Sequence, residues 1–309
     1  MMKYAHREKT LHRCCYLGLS LCISVSAHSD SVHVAVASNF IAPLKDIAEH
    51  FQQDTLHQVI VSNGASGKLT TQIMHGAPYD VFLSADTDKP EQLIDRQLAL
   101  SDSQFTYAIG QLVAWAPNSK DTLSDLKEGK FRKIALANAL HAPYGKAAED
   151  ILSTLGVIDV TKPHWVVGEN ISQTYQFVAS GNADMGFVAY SQLHTQLDNT
   201  LGAQASRLHK KFDNKVSNGS VWLIPAEMHT PILQNAVLLV HGQHNQAAQA
   251  FMRYLQSENA HAIIKRYGYR LPVNQELPEQ TKQESQQTQE KDTSEAILEL
   301  TSETSTDTD

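Results

Sequence analysis

The segment "HQVIVSNGASGKLTTQI", residues 57–73, decides how the rest of the chain is read. Its first part alternates polar and apolar residues, the period of a β-strand. Leu69 and Ile73, four residues apart, mark one face of a helix. Between them lie glycines, serines and one lysine. A strand that turns into a helix through small residues is a place where backbone N–H groups can meet an anion. A nucleotide loop is excluded by spacing. A Walker loop needs four residues between its first glycine and Gly-Lys, then Ser or Thr. Here Gly64 stands too close to Gly67-Lys68, and Leu69 occupies the hydroxyl position. The same stretch misses G-x-S-x-G, because Gly67 follows Ser66 one residue too early. A triad can still assemble from distant residues, so a secreted serine hydrolase using Ser66 stays open.

The pattern repeats on both sides. "VHVAVAS" (32–38) reads as a buried strand. Leu44, Ile47, Ala48 and Phe51 then fall on one helix face, with Pro43 in the first turn. "YDVFLSA" (79–85) is a third strand. Strand–helix–strand–helix–strand is the order of a parallel α/β sheet. "FTYAIGQLVAWAP" (105–117) reads as one long strand passing from one domain into another. Beyond it the order recurs: "KIALAN", "YGKAAEDILSTL", "HWVVGE", "ISQTYQFVASG", "DMGFVAY" and "SVWLIPA". Two helices close the body, "QAAQAFMRYLQ" and "SENAHAIIKRYG". The second is capped by Ser257 and stopped at Gly268. "HGAPYDVFLSAD" and "SGNADMGFVAYS" echo each other, as two similar lobes would.

The two ends differ from the 309-residue chain's middle. Lys3, Arg7, Lys9 and Arg13 precede the apolar "CCYLGLSLCISVSA" (14–27), which ends in small residues. This reads as a secretory signal peptide cut near Ala27. Lipid anchoring at Cys22 is the weaker reading, since Leu21 fits poorly before such a cysteine. The cut removes Cys14, Cys15 and Cys22, so the expected mature chain has no cysteine for disulfides, metal or catalysis. Residues 276–309 carry ten acids against Lys282 and Lys291, with no apolar period, which is the composition of a disordered acidic tail. The remaining body is near −3, which provides no basic nucleic-acid footprint. His241 and His244 form the one tight histidine pair, in a polar turn, and read as solvated rather than as metal ligands.

Four strand-to-helix turns carry small or hydroxyl residues: "ASNF" (37–40), "GASGK" (64–68), "APYGK" (142–146) and "GENISQ" (168–173). In a parallel sheet such turns share the carboxyl edge, where ligands bind. Helix capping explains any one of them; four together, two from each half, point to one anion site.

"VAVASNFIAPLKDIAEHF", "SNGASGKLTTQI", "GAPYDVFLSAD", "YGKAAEDIL" and "GENISQTYQFVASGNADMGFVAYSQL" resemble the molybdate-binding periplasmic proteins of ABC importers, over residues 32–275. The resemblance implies a two-lobed type II periplasmic-binding fold, α/β, each lobe a mainly parallel sheet flanked by helices, with a two-strand hinge. The lobes expected are 28–107 with 236–275, and 108–235. It implies a non-catalytic receptor without cofactor, a monomer, that closes on molybdate or tungstate and delivers it to a membrane permease. By position the ligand contacts are Ser38, Asn39 and Ser66 from one lobe, and the backbone N–H groups of Tyr144 and Ile171 from the other. In "Gly186-Phe187-Val188-Ala189" the tyrosine that some members use comes one place late. Tyr190 should face away, and the side-chain amide of Asn39 is expected to supply that donor. Lys68 reads as a solvated side chain. A receptor for sulfate or thiosulfate is the alternative within the class.

Overall fold

The computed structural model describes residues 30–193 and 219–272. The expected leader (1–27) and acidic tail (276–309) lie outside the described residues. The chain starts with β1 (Ser31–Ala37), α1 (Ile41–Thr55), β2 (Gln58–Gly64), α2 (Ser66–Met74), β3 (Val81–Leu83), α3 (Asp88–Asp95) and β4 (Phe105–Gly110). A second run follows: β5 (Leu112–Ala116), α4 (Thr122–Glu128), β6 (Ile134–Ala137), α5 (Pro143–Thr154), α6 (Ile158–Thr161), β7 (Trp165–Gly168), α7 (Ile171–Ala179), β8 (Met185–Ala189) and β9 (Ser220–Leu223). The chain then returns through β10 (Ile232–Leu238), α8 (Gln246–Tyr254) and α9 (Glu258–Arg266).

Two five-stranded sheets result, ordered β2-β1-β3-β10-β4 and β7-β6-β8-β5-β9. Each is mainly parallel, with one antiparallel strand, β10 in the first and β5 in the second. The expected α/β architecture of two sheets flanked by helices is what forms.

Both faces of each sheet are covered, which explains the near-continuous apolar strands. Alternate residues face opposite ways. Val32, Val34 and Val36 pack with Phe40, Leu44, Ile47 and Phe51 of the α1 side and with Phe251 and Ile264 of α8 and α9. Ala35 and Phe82 face Leu69, Ile73 and Leu93 of α2 and α3. In the second sheet Ile134, Leu136 and Phe187 meet Ala148, Ile151 and Leu152 of α5, while Val113 and Val188 meet Tyr175 and Val178 of α7. Each fully buried side chain of this kind contributes about 1.5–3 kcal/mol.

Two elements depart from the sequence reading. Residues 105–117 are two strands, β4 and β5, in different sheets, broken at Gly110 and Gln111. Gln111 anchors the break, its Nε2 donating to the Gly268 carbonyl at 2.6 Å. β10 carries no clear strand pattern because Gln234 and Asn235 interrupt its apolar run, yet it sits between β3 and β4. The chain thus passes between the sheets twice, from β4 to β5 and from β9 to β10.

Close approach of α5 to β6 sets the position of the α5 N-terminus. A Cβ on Gly145 would overlap the Ala137 carbonyl oxygen, a backbone atom that cannot swing aside. Gly145→Ala is expected to destabilise the fold by about 1–3 kcal/mol, seen as a drop in thermal midpoint. A variant melting with the parent would show that α5 does not seat on β6 in this way.

Candidate functional site

Four of the strand-to-helix turns meet. One small cavity of about 10 Å³ is lined by Ala37, Ser38 and Asn39 before α1, by Gly64, Ala65 and Ser66 at α2, by Ala142, Pro143 and Tyr144 at α5, and by Asn170 and Ile171 at α7, with Ala85 after β3. Its lining contains no charged residue. Ser38, Asn39, Ser66, Tyr144 and Ile171 are all buried. The structure therefore brings together every residue that the sequence pattern nominates.

The helix starts at this cavity share an unusual feature. Ala37, Ala65 and Ala142 hold the N-cap positions of the 3₁₀ turn Ser38–Phe40, of α2 and of α5, and none offers a side-chain cap. Alanine is among the poorest N-cap residues. The first N–H groups of a helix have no partner within it, and among the described residues no side chain caps these three starts, although the Gly67 N–H meets the His141 carbonyl. Pro143 has no N–H, so Tyr144 offers the first donor of α5. At α7, Asn170 caps the N–H groups of Ser172 and Gln173, both at 3.0 Å, which leaves Ile171 ahead of the capped pair. Elsewhere, Asp121, Asn245 and Ser257 cap α4, α8 and α9 with their side chains.

Ser66 is 1% exposed, and its Oγ accepts the Ala85 N–H at 3.0 Å. That bond leaves the hydroxyl proton free to donate. Among the described residues no histidine is hydrogen-bonded to Ser66, so the serine has no base beside it.

The two halves touch around the cavity. The Gly67 N–H donates to the His141 carbonyl at 2.9 Å. Ser172 Oγ donates to the Ser38 carbonyl at 3.0 Å. Lys68 Nζ lies 2.8 Å from Glu169 Oε1 across the outer rim. Lys68 stays solvated, as its reading expects, but it has a partner from the other half of the chain that the sequence did not show. The hydrogen bond and the charge of Lys68 hold the Glu169 carboxyl below its usual range. A wider groove opens next to the cavity, but its Lys89 and Lys146 are already paired with Asp86 and Asp150.

Behind the cavity lies a buried polar network that the sequence reading missed. Asn39 Nδ2 donates to Gln234 Oε1 at 2.9 Å and to the Tyr269 hydroxyl at 3.0 Å. Both amide protons are thereby engaged, so the side chain of Asn39 is not the cavity donor expected; its backbone lines the cavity instead. Tyr269 donates to the Asn39 carbonyl at 2.8 Å and pairs with Ser191 at 3.0 Å. Tyr107 reaches Gln234 Oε1 at 3.0 Å, and Gln234 Nε2 donates to the Tyr144 hydroxyl at 3.1 Å. Burial raises all three phenols, aided by their mutual repulsion in Tyr107 and Tyr144; Tyr269 is pushed up to about 12. They remain neutral at physiological pH.

Tyr190 follows β8 at the start of a helical turn and packs against the Val113, Trp115 and Val188 cluster; it is not among the residues that line the cavity. His241 Nδ1 lies 3.0 Å from Asp80 Oδ1, which ties its turn to the start of β3; it is not merely solvated.

Residues 32–270 match the family model for bacterial extracellular solute-binding proteins. The chain is 42% identical over 258 residues to the molybdate-binding protein ModA of Azotobacter vinelandii, covering 82% of this chain and 95% of the relative. It is 38% identical to the molybdate-binding protein ModA of Rhodobacter capsulatus, covering 82% and 93%. The solved structure of the Azotobacter vinelandii periplasmic molybdate-binding protein superposes with a TM-score of 0.69 at 37% identity, over 78% of this chain and 99% of that one. With a family match running through both sheets and relatives this similar over nearly their whole length, the chain belongs to the bacterial extracellular solute-binding protein family.

Proposed function

We propose that this chain is a periplasmic receptor that captures molybdate, and tungstate with it, in the cavity between its lobes and hands it to the permease of an ABC importer. The observation that carries the reading is the meeting of alanine-capped helix starts and Ser66 at one uncharged cavity. The names of the relatives at 42% and 38% identity support the choice of anion. The ligand contacts proposed are Ser38 and Ser66 through hydroxyl and backbone, and Asn39, Tyr144 and Ile171 through backbone N–H groups.

The chemistry fits a dianion that carries no proton. The groups offered are backbone N–H groups and hydroxyls that can donate, and the lining holds no carboxylate to take the proton of a protonated phosphate, whose poorly matched hydroxyl would cost about 1–3 kcal/mol. Partial positive charge at helix starts neutralises the anion without a buried cation, whose desolvation would cost several kcal/mol. The contacts across the rim describe a closed arrangement, which ligand favours because only then do both lobes donate to it. No step of this cycle needs catalysis, and the chain acts as a monomer with the anion as its sole small-molecule partner.

Calorimetry with molybdate, tungstate, sulfate and phosphate tests the reading. Molybdate and tungstate should bind with similar affinity and the other two weakly; tight sulfate binding without molybdate binding overturns the assignment. Ser66→Ala should weaken molybdate by roughly tenfold to a hundredfold, the worth of one hydrogen bond to a charged group. Ester turnover abolished by that substitution would instead favour a hydrolase.

Because the donors are amides and hydroxyls, with burial holding Tyr107, Tyr144 and Tyr269 protonated, affinity should stay flat from about pH 7 to about pH 9. A steep fall in that window would place a titrating cation in the site.

Lys68→Ala should weaken binding a few-fold at low salt and little at high salt, since its partner pair is exposed to solvent. A loss as large as that of Ser66→Ala would make Lys68 a direct ligand.

A further inference from the structure

Gln234 is fully buried, 0% exposed, next to Asn235 in a strand that is otherwise apolar. A primary amide in such a place needs partners for both ends, and it has them. Its Oε1 accepts from Asn39 Nδ2 at 2.9 Å and from the Tyr107 hydroxyl at 3.0 Å. Its Nε2 donates to the Tyr144 hydroxyl at 3.1 Å. The donors on one side fix which end of the amide is oxygen, because an Asn amide nitrogen can only donate. Two of these partners, Asn39 and Tyr144, line the anion cavity and come from opposite halves of the fold.

The backbone is shaped around this pair. The β10–β4 register slips between Gln234 and Asn235, which face Ala108 and Thr106, so Tyr107 has no direct partner in the ladder. Such a slip re-aims side chains beside a site. Gly110, the last residue of β4, leaves the space that the contact occupies. A Cβ there would overlap the Tyr144 hydroxyl and lie 2.7 Å from Gln234 Nε2. The residue at which the chain leaves the first sheet thus has room for only this hydrogen bond.

From this geometry we infer that Gln234 is a positioning residue for the anion site: one amide sets the spacing between the Asn39 turn and the start of α5, and so the spacing of the N–H groups that meet the ligand. The inference rests on the proposed oxyanion function. A core glutamine that only satisfied its own sheet would not bridge two cavity-lining residues from different lobes. Gln234 never touches the anion. It acts through the Tyr144 ring, whose backbone N–H lies in the first turn of α5, and through Asn39, whose backbone lines the opposite wall.

The test is a double-substitution cycle on the full chain with molybdate as probe. Gln234→Met keeps length and removes the amide. Tyr144→Phe removes the hydroxyl it donates to and keeps the backbone donor. Each alone should weaken molybdate by roughly tenfold, and the double variant should lose clearly less than the product of the single losses, because both remove the shared Gln234–Tyr144 bond. A purely structural role predicts something different: a lower melting temperature of the anion-free protein with molybdate affinity within about twofold of the parent. That result overturns the inference, as does a double variant whose losses multiply. If Gln234→Met does not fold, Tyr144→Phe decides alone, and parental affinity in it overturns the inference. If the parent protein binds another oxyanion of the panel instead of molybdate, the functional assignment fails and the same cycle is read with that anion. If it binds none, both fail.

Discussion

Donors left without acceptors at buried helix starts are the constraint around which this molecule is arranged. A helix start buried without partners costs about 1–3 kcal/mol for each N–H left unmet. The chain has the means to avoid this. Asp121, Asn245 and Ser257 fold back onto their own helices, and Asp86 Oδ1 accepts the Lys89 N–H at the first turn of α3. At the cavity it places alanine in three of four cap positions. Serine or aspartate there would satisfy the N–H groups locally, and aspartate would add a negative charge where an anion belongs. Alanine leaves the donors open and the cavity neutral.

The same constraint reconciles an acidic sequence with the proposed anion site. The chain carries a formal net charge of −8, whereas the cavity lining carries no charged residue. Full charges near the rim are matched in pairs, Lys68 with Glu169, Lys89 with Asp86 and Lys146 with Asp150. What acts at short range is the set of aligned peptide dipoles, whose influence falls off within a helix turn. Net charge and local potential are separate quantities, and only the local one is felt inside a closed cavity.

Local chemistry was readable from the sequence and distant pairing was not. The α/β order, most strands and the four turns follow from periodicity and from glycine, serine and asparagine at strand ends. The pattern located the four turns, and the family resemblance picked out Ser38, Ser66, Tyr144 and Ile171 within them. The β4–β5 break was hidden because Gly110 and Gln111 lie inside an apolar run, and the Gly268 carbonyl that anchors Gln111 lies 157 residues away. β10 was hidden by the very residues that matter in it. Asn39 and Gln234 are 195 residues apart, and Gln234 and Tyr144 are 90 apart, so no local pattern joins them. The Asn39 amide was assigned to the ligand because its competitors, Gln234 and Tyr269, are visible only after folding. The partner of Lys68 was hidden because Glu169 approaches it only when the halves meet.

Opening and closing then become a balance of small free energies. Closing gains a few neutral hydrogen bonds between the halves: Gly67 to His141, Ser172 to Ser38 and Gln234 to Tyr144. Each is worth about 0.5–1.5 kcal/mol net. Against them stands the burial of the uncapped N–H groups, at a similar or larger cost for each. Neither side dominates in the absence of ligand, so the empty protein has no strong reason to shut. On the proposed function an anion would turn that burial cost into a gain, because the groups that oppose empty closure are the proposed ligand contacts. A swing of about 5.5 kcal/mol takes a two-state equilibrium from one part in a hundred to ninety-nine. A handful of charge-assisted hydrogen bonds, each about 1.5–3 kcal/mol, supplies that much. The alanine caps therefore serve both recognition and signalling: a receptor whose helix starts were already satisfied would lose affinity and also lose the difference between its empty and loaded shapes.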